Sequence, residues 1–132
     1  VSQGVIFDVA VDCRLDSTTH GQWYGVELDD RSAQQLWVPP GFAHGFLTLS
    51  ATAVVQYKVT DTYDPGFELT LAWDDPTVAI QWPEAVVPQL SEKDTNGERF
   101  DQVETILREK PWETIESGGV SNPSVAQPPG PE

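Results

Sequence analysis

Methionine is absent from the 132 residues, cysteine occurs once, histidine only twice, and seven lysines and arginines stand against 21 aspartates and glutamates. Each scarcity removes a class of function. The single cysteine, Cys13, has no partner for an intrachain disulfide, which suits a reducing compartment or indifference to redox. No stretch approaches the roughly 20 apolar residues of a membrane span, and the first residues lack the charged-then-apolar layout of a signal peptide. A cytoplasmic location and no membrane partner are therefore expected. The formal net charge of −14 argues against a surface that tracks nucleic-acid phosphates. A small anionic ligand stays compatible with it, provided a few of the scarce cations are focused in one cleft.

What is present points to a packed body. Hydrophobic residues make up 39% of the chain, with five Trp, five Phe and three Tyr, and the length suits one domain. The chain opens on VSQGVIFDVAVDC, already the inside of a strand pattern, which leads us to expect that an N-terminal portion is missing. Val5, Phe7, Val9, Val11 and Cys13 alternate with Ile6, Asp8, Ala10 and Asp12, a period of two that predicts a strand. Asp8, flanked by Ile6 and Ala10, is awkwardly placed for a purely solvated carboxylate. Further strands are predicted at Gln22 to Leu28, Gln35 to Val38, from Phe42, at Ala53 to Thr60 with Val55, Tyr57 and Val59 on one face, at Glu68 to Trp73, and at Val78 to Trp82. Turns rich in Gly, Pro and Asp separate them. Many short, regularly spaced strands predict an all-β sandwich or barrel. One helix is predicted, from Asp101 to Lys110, with Val103, Ile106 and Leu107 on one face. After Gly118 the composition turns to Gly, Ser, Asn and Pro, so we expect one domain over residues 1–117 and a disordered tail over 118–132.

The most informative segment is Pro39-Pro40-Gly41-Phe42-Ala43-His44-Gly45-Phe46. Its P-x-G-x-x-H spacing resembles the second cupin motif, in which proline and glycine turn the chain and deliver a histidine into a barrel mouth. Taken alone, such a histidine is structural or superficial in about half of cases. A metal-dependent cupin enzyme is a rival reading, but it needs an H-x-H and a downstream Glu from an earlier motif. The other histidine, His20, lies in a polar turn, so no complete metal site is visible. Metal content after gentle purification discriminates that class.

Read together, FDVAVDCR, the G-x-W at Gly21 to Trp23, LWVPPGFAHGFLTLS, YKVTDTYDP, WDDP and SEKD resemble, in order and spacing, the dTDP-4-dehydrorhamnose 3,5-epimerase family. The resemblance runs from about Val5 to Asp101. It implies a cupin-like (jelly-roll) β-barrel, no metal or organic cofactor, and a homodimer that exchanges a segment between subunits. The implied activity is epimerisation of dTDP-4-dehydro-6-deoxy-D-glucose at carbons 3 and 5, on the pathway to rhamnose-bearing polysaccharide. A histidine base removes the protons made acidic by the 4-keto group, and a tyrosine returns a proton to the opposite face.

Residue by residue, the resemblance places that tyrosine at Tyr57, although an aromatic in an alternating strand is most often core. His44 matches a histidine that contacts the ligand, and as a donor it can stabilise charge as the enolate forms. Asp8 and Asp94 match carboxylates near the base, either of which could orient its imidazole; the ordinary alternative for Asp94 is an exposed turn acid. Glu68 and Lys93 match positions that hold the nucleotide, and are ordinary surface residues otherwise. Trp73, Trp82 and Phe46 are expected in the core. The family's catalytic histidine, an arginine and a lysine match nothing here, so little epimerase activity is expected of this chain alone. A relative acting on one carbon, or a non-catalytic remnant that binds dTDP, would look much the same.

Overall fold

The alternation that begins at Val5 forms a strand, β1 (Val5–Asp12), at the centre of a three-stranded antiparallel sheet between β2 (Trp23–Asp29) and β3 (Phe42–Thr48). The structure is a computed structural model that describes residues 1–62, 64–84 and 87–110. Register sets two faces. Asp8 lies opposite Val26 on β2 and Phe46 on β3, and Ala10 opposite Tyr24 and His44, so Ile6, Asp8, Ala10 and Asp12 share a face with those residues. Phe7, Val9 and Val11 point the other way, because successive side chains of a strand alternate.

The second face carries the largest buried cluster, while Ile6, Ala10 and Leu28 are buried on the first. Val9, Val11, Cys13, Val78 and Phe100 are buried together, with Phe7, Trp23, Ala43, Leu71, Ile80, Trp82 and Leu107 packed around them. Helix α2 (Phe100–Glu109) closes this side with Phe100 and Val103, its two buried residues. Its start is fixed by a distant residue. The backbone N–H of Phe100 donates to Asp75 Oδ2 at 3.0 Å, while Asp75 Oδ1 accepts from the N–H groups of Thr77 at 2.8 Å and Val78 at 3.1 Å. Burial works against the charge of Asp75, but the N–H groups of Phe100, Val78 and Thr77 outweigh it and hold the carboxyl below its ordinary range. Opposite Val9 and diagonal to Phe7, the sheet has room only for glycine at Gly25, where a Cβ would collide with the Phe7 ring.

The Pro39-Pro40-Gly41 corner behaves as its composition suggests. Gly41 takes φ 85°, a conformation open to glycine, and its carbonyl accepts from the Cys13 N–H at 3.0 Å as β3 begins. The turn between β1 and β2 is organised by Asp12, which is 1% exposed. Arg14 meets it through Nε at 2.9 Å and NH2 at 2.8 Å, and the hydroxyls of Ser17 and Thr19 donate to the same carboxylate. The Arg14 guanidinium, overcoming burial and joined by Ser17 and Thr19, holds the Asp12 carboxyl far below its ordinary range.

Four expected strands do not form. Residues 35–38, 53–60, 68–73 and 78–82 belong to no named strand; isolated bridges join Gln3 to Val54 and Leu71 to Glu98. A strand needs a neighbour to take up its N–H and C=O groups, and apolar alternation alone supplies none. The side chains of 53–60 are accordingly open: Tyr57 is 76% and Val59 71% exposed. Phe46 is 44% exposed, contrary to its expected place in the core, whereas Trp82 packs on the cluster and donates its Nε1–H to the Trp73 carbonyl at 2.8 Å. The expected helix from Asp101 begins and ends one residue earlier, within the normal fraying of helix ends. The expected tail, 118–132, and the end of the expected domain, 111–117, lie outside the described residues.

Candidate functional site

The sheet face turned away from α2 carries two of the candidate residues, Asp8 and His44. Asp8 sits on the central strand, 6% exposed, with no arginine or lysine bonded to it among the described residues. Its Oδ1 lies 2.6 Å from His44 Nε2, a diagonal contact from β1 to β3 made possible by the pairing of Ala10 with His44. The His44 side chain is 38% exposed, so the pair joins a buried carboxylate to an imidazole open to a ligand. His44 Nδ1 has no hydrogen-bond partner among the described residues. Tyr24 and Phe46 flank this patch and are themselves exposed. A histidine held in this way can donate to, or accept from, an oxygen of a bound molecule, with Asp8 as counter-charge when the ring is protonated.

The remaining candidates fall in two places. Lys93 Nζ lies 2.8 Å from Glu68 Oε1, so the two residues expected to hold a nucleotide meet each other at the surface. An exposed pair of this kind contributes little to stability and can yield to a competing anion. Asp94 stands at the start of the short helix α1 (Glu92–Thr95), where its Oδ2 accepts from the hydroxyl of Ser91 at 2.7 Å and the residue is exposed. Tyr57 makes no hydrogen bond among the described residues. Asp8 is thus brought to His44, and neither Tyr57 nor Asp94 bonds to that pair.

Sequence reasoning missed a second histidine contact. His20 Nε2 lies 2.7 Å from Glu104 Oε1 on α2, and its ring centroid is 5.1 Å from that of Phe100. His20 Nδ1 is buried without a partner among the described residues. This residue therefore ties the turn before β2 to α2, on the side of the sheet opposite His44. A polar turn gave no signal of it, because its partner is 84 positions away. Among the described residues no three His, Cys, Asp or Glu side chains converge as a metal ion would require. No helix of the described residues is long and apolar enough to cross a membrane.

Comparison with known proteins places this geometry in context. The family model for dTDP-4-dehydrorhamnose 3,5-epimerase matches residues 1–102. An enzyme of that name from Sinorhizobium fredii is 50% identical over 95 residues, covering 72% of this chain and 49% of its own length. One from Salmonella typhimurium is 48% identical over 99 residues, 75% of this chain and 54% of its own. The chain spans about half the length of the curated relatives it matches. Among solved structures, the Legionella pneumophila dTDP-6-deoxy-D-glucose-3,5-epimerase in complex with dTDP-4-keto-L-rhamnose aligns with TM-score 0.74 and 44% identity, over 81% of this chain and 57% of that one. A Mycobacterium tuberculosis epimerase aligns with TM-score 0.78 and 37% identity, over 87% and 58%. The architecture is thus the cupin-like all-β one expected from the sequence, with the described residues contributing one three-stranded sheet.

Proposed function

The chain belongs to the dTDP-4-dehydrorhamnose 3,5-epimerase family, and on that footing we propose that it binds dTDP-4-dehydro-6-deoxy-D-glucose beside His44 on the β2–β1–β3 sheet and takes part in epimerising carbons 3 and 5. The observation that carries this is the Asp8–His44 pair, a partly open imidazole backed by a buried carboxylate on the sheet face turned away from α2. In this reading His44 donates to an oxygen of the ligand, where a fixed donor stabilises charge as the 4-keto sugar becomes an enolate. Tyr57 returns a proton to the face opposite the one deprotonated, since inversion needs two groups. Glu68 and Lys93 open to hold the nucleotide, the carboxylate taking the base or ribose and the ammonium the diphosphate. Asp94 is the second carboxylate, available to orient a base.

By the family resemblance neither histidine of this chain stands at the position of the base: His44 matches the ligand-contacting histidine, and His20 lies across the sheet, bonded to Glu104. Without general-base assistance the chain alone should work about 10²–10⁴-fold more slowly than an intact relative. We propose that the working form is a homodimer, supported by the exposed apolar side chains of Trp37, Val54, Tyr57 and Val59.

The test is calorimetric titration with dTDP, followed by incubation with the 4-keto sugar nucleotide in deuterated water. Binding, and slow deuterium uptake at carbons 3 and 5, are expected. Tyr57→Phe, which keeps the ring, should leave exchange in place while lowering inverted product. Absence of dTDP binding would overturn the reading. Undiminished inversion in Tyr57→Phe would remove that residue from the mechanism, and binding with no exchange would leave a sugar-nucleotide binder rather than an epimerase.

A further inference from the structure

The imidazole of His44 has two edges with different fates. Nε2 is occupied, 2.6 Å from a carboxylate on the central strand. A carboxylate only accepts, so Nε2 must carry a proton in the neutral ring, and Nδ1 is then the bare acceptor. Nδ1 has no partner among the described residues, which makes it the edge a ligand on this face can reach. A bare nitrogen repels an anionic oxygen. To bind one through Nδ1, the ring must take a second proton.

The groups around it favour this. The titratable side chains on the same face are Asp8 and Asp12 from β1 and Tyr24 from β2. Asp12 is engaged by the Arg14 guanidinium, at 2.9 and 2.8 Å, together with two hydroxyls. Tyr24 is 61% exposed and offers only a phenol. The other residues facing that way, Val26 and Leu28 on β2 and Phe42, Phe46 and Thr48 on β3, carry no charge. Asp8 is therefore the charge that answers His44, and no cation bonded to it competes for that role.

We propose that Asp8 is a positioning residue which fixes His44 with Nδ1 outward, so that a sugar-nucleotide diphosphate or keto oxygen is bound by the imidazolium form and its binding takes up a proton from solvent. This rests on the functional reading above and adds to it the charge state and the edge of the ring that meets the ligand. The balance is simple: one proton leaves solvent for Nδ1, Nε2–H stays shared with Asp8, and no bond of the ligand is broken.

The experiment is calorimetric titration of the chain with dTDP-glucose, whose diphosphate has no proton to exchange near neutrality, in buffers of differing ionisation enthalpy. At about pH 8 uptake of close to one proton per ligand is expected, and it should fall as the pH is lowered to about 5.5. His44→Gln keeps a donor and should abolish the uptake. Asp8→Asn keeps the shape and an acceptor but loses the counter-charge; its affinity should fall about tenfold at pH 8 and approach that of the parent at pH 5.5. Binding without proton uptake at pH 8 would overturn this inference and leave the functional reading standing. An Asp8→Asn defect of equal size at both pH values would reduce Asp8 to a structural role. Failure of the parent to bind dTDP-glucose at any pH would overturn both.

Discussion

Removing the Asp75 side chain should cost more stability than any salt bridge on the surface. Its two oxygens serve three backbone N–H groups: Phe100 at the start of α2, and Thr77 and Val78 in the preceding turn. Thr77 is exposed and can turn to water, but Phe100 and Val78 are 4% and 6% exposed and cannot. In Asp75→Ala two buried donors lose their acceptor, at about 1–3 kcal/mol each. Relief from burying a charge offsets part of this, leaving a net loss of about 3 kcal/mol. Asp75→Asn keeps one oxygen. It can serve the turn or the helix but not both, and it gives up a negative charge at a helix N-terminus, so about 1–2 kcal/mol should be lost. Urea unfolding followed by far-UV circular dichroism measures both, with the slope unchanged and the midpoint shifted. If Asn costs as much as Ala, or if Ala leaves the midpoint where it was, the count of acceptors is not what fixes the start of α2.

Two further expectations concern packing and pH. Gly25→Ala forces a methyl against the Phe7 ring and within 3.0 Å of Trp23, whereas Gly45, on the next strand but one, has nothing within 4 Å of its missing Cβ. The first should lose about 1–3 kcal/mol and the second less than about 0.5; equal melting temperatures for the two variants would show that the sheet gives way at Gly25. Asp12, its carboxyl held far below the ordinary 3.8 by Arg14, supplies stability that is complete above that value and lost as pH falls through it toward the folded value. The stability difference between the parent and Asp12→Asn should hence be constant above about pH 5 and shrink below about pH 4. A gap that widens on acidification would contradict the sign.

Legibility followed distance along the chain. Strand β1, the Pro39-Pro40-Gly41 corner and α2 are written in neighbouring residues, as alternation, turn chemistry and a 3.6-residue stripe. The segment 53–60 carries the same alternation and forms no strand, because a period of two describes a face and not the partner that must cover it. The burial of Asp8 could be inferred from Ile6 and Ala10 on either side. Its partner could not: His44 is 36 positions away, and only the β1–β3 register brings them together. The same holds for Asp75 and the first N–H of α2, 25 residues apart. The candidate site residues rest on family resemblance rather than on pattern, and for Tyr57 and Asp94 the local pattern pointed elsewhere, to a core aromatic and a turn acid.

Strand β1 faces two ways, and this bears on how the chain can change over time. Its residues 7, 9 and 11 answer to the packing beneath α2, and 6, 8, 10 and 12 to the other side, where the Asp8–His44 pair lies. A substitution at one position leaves its neighbours' surroundings largely untouched. Repairs beneath α2 can therefore accumulate at 7, 9 and 11 without touching the Asp8–His44 pair, whereas Ile6 and Ala10, at 0% and 7% exposure, leave the pair's own side little room to drift. Two selective pressures share eight consecutive residues and rarely meet at the same one.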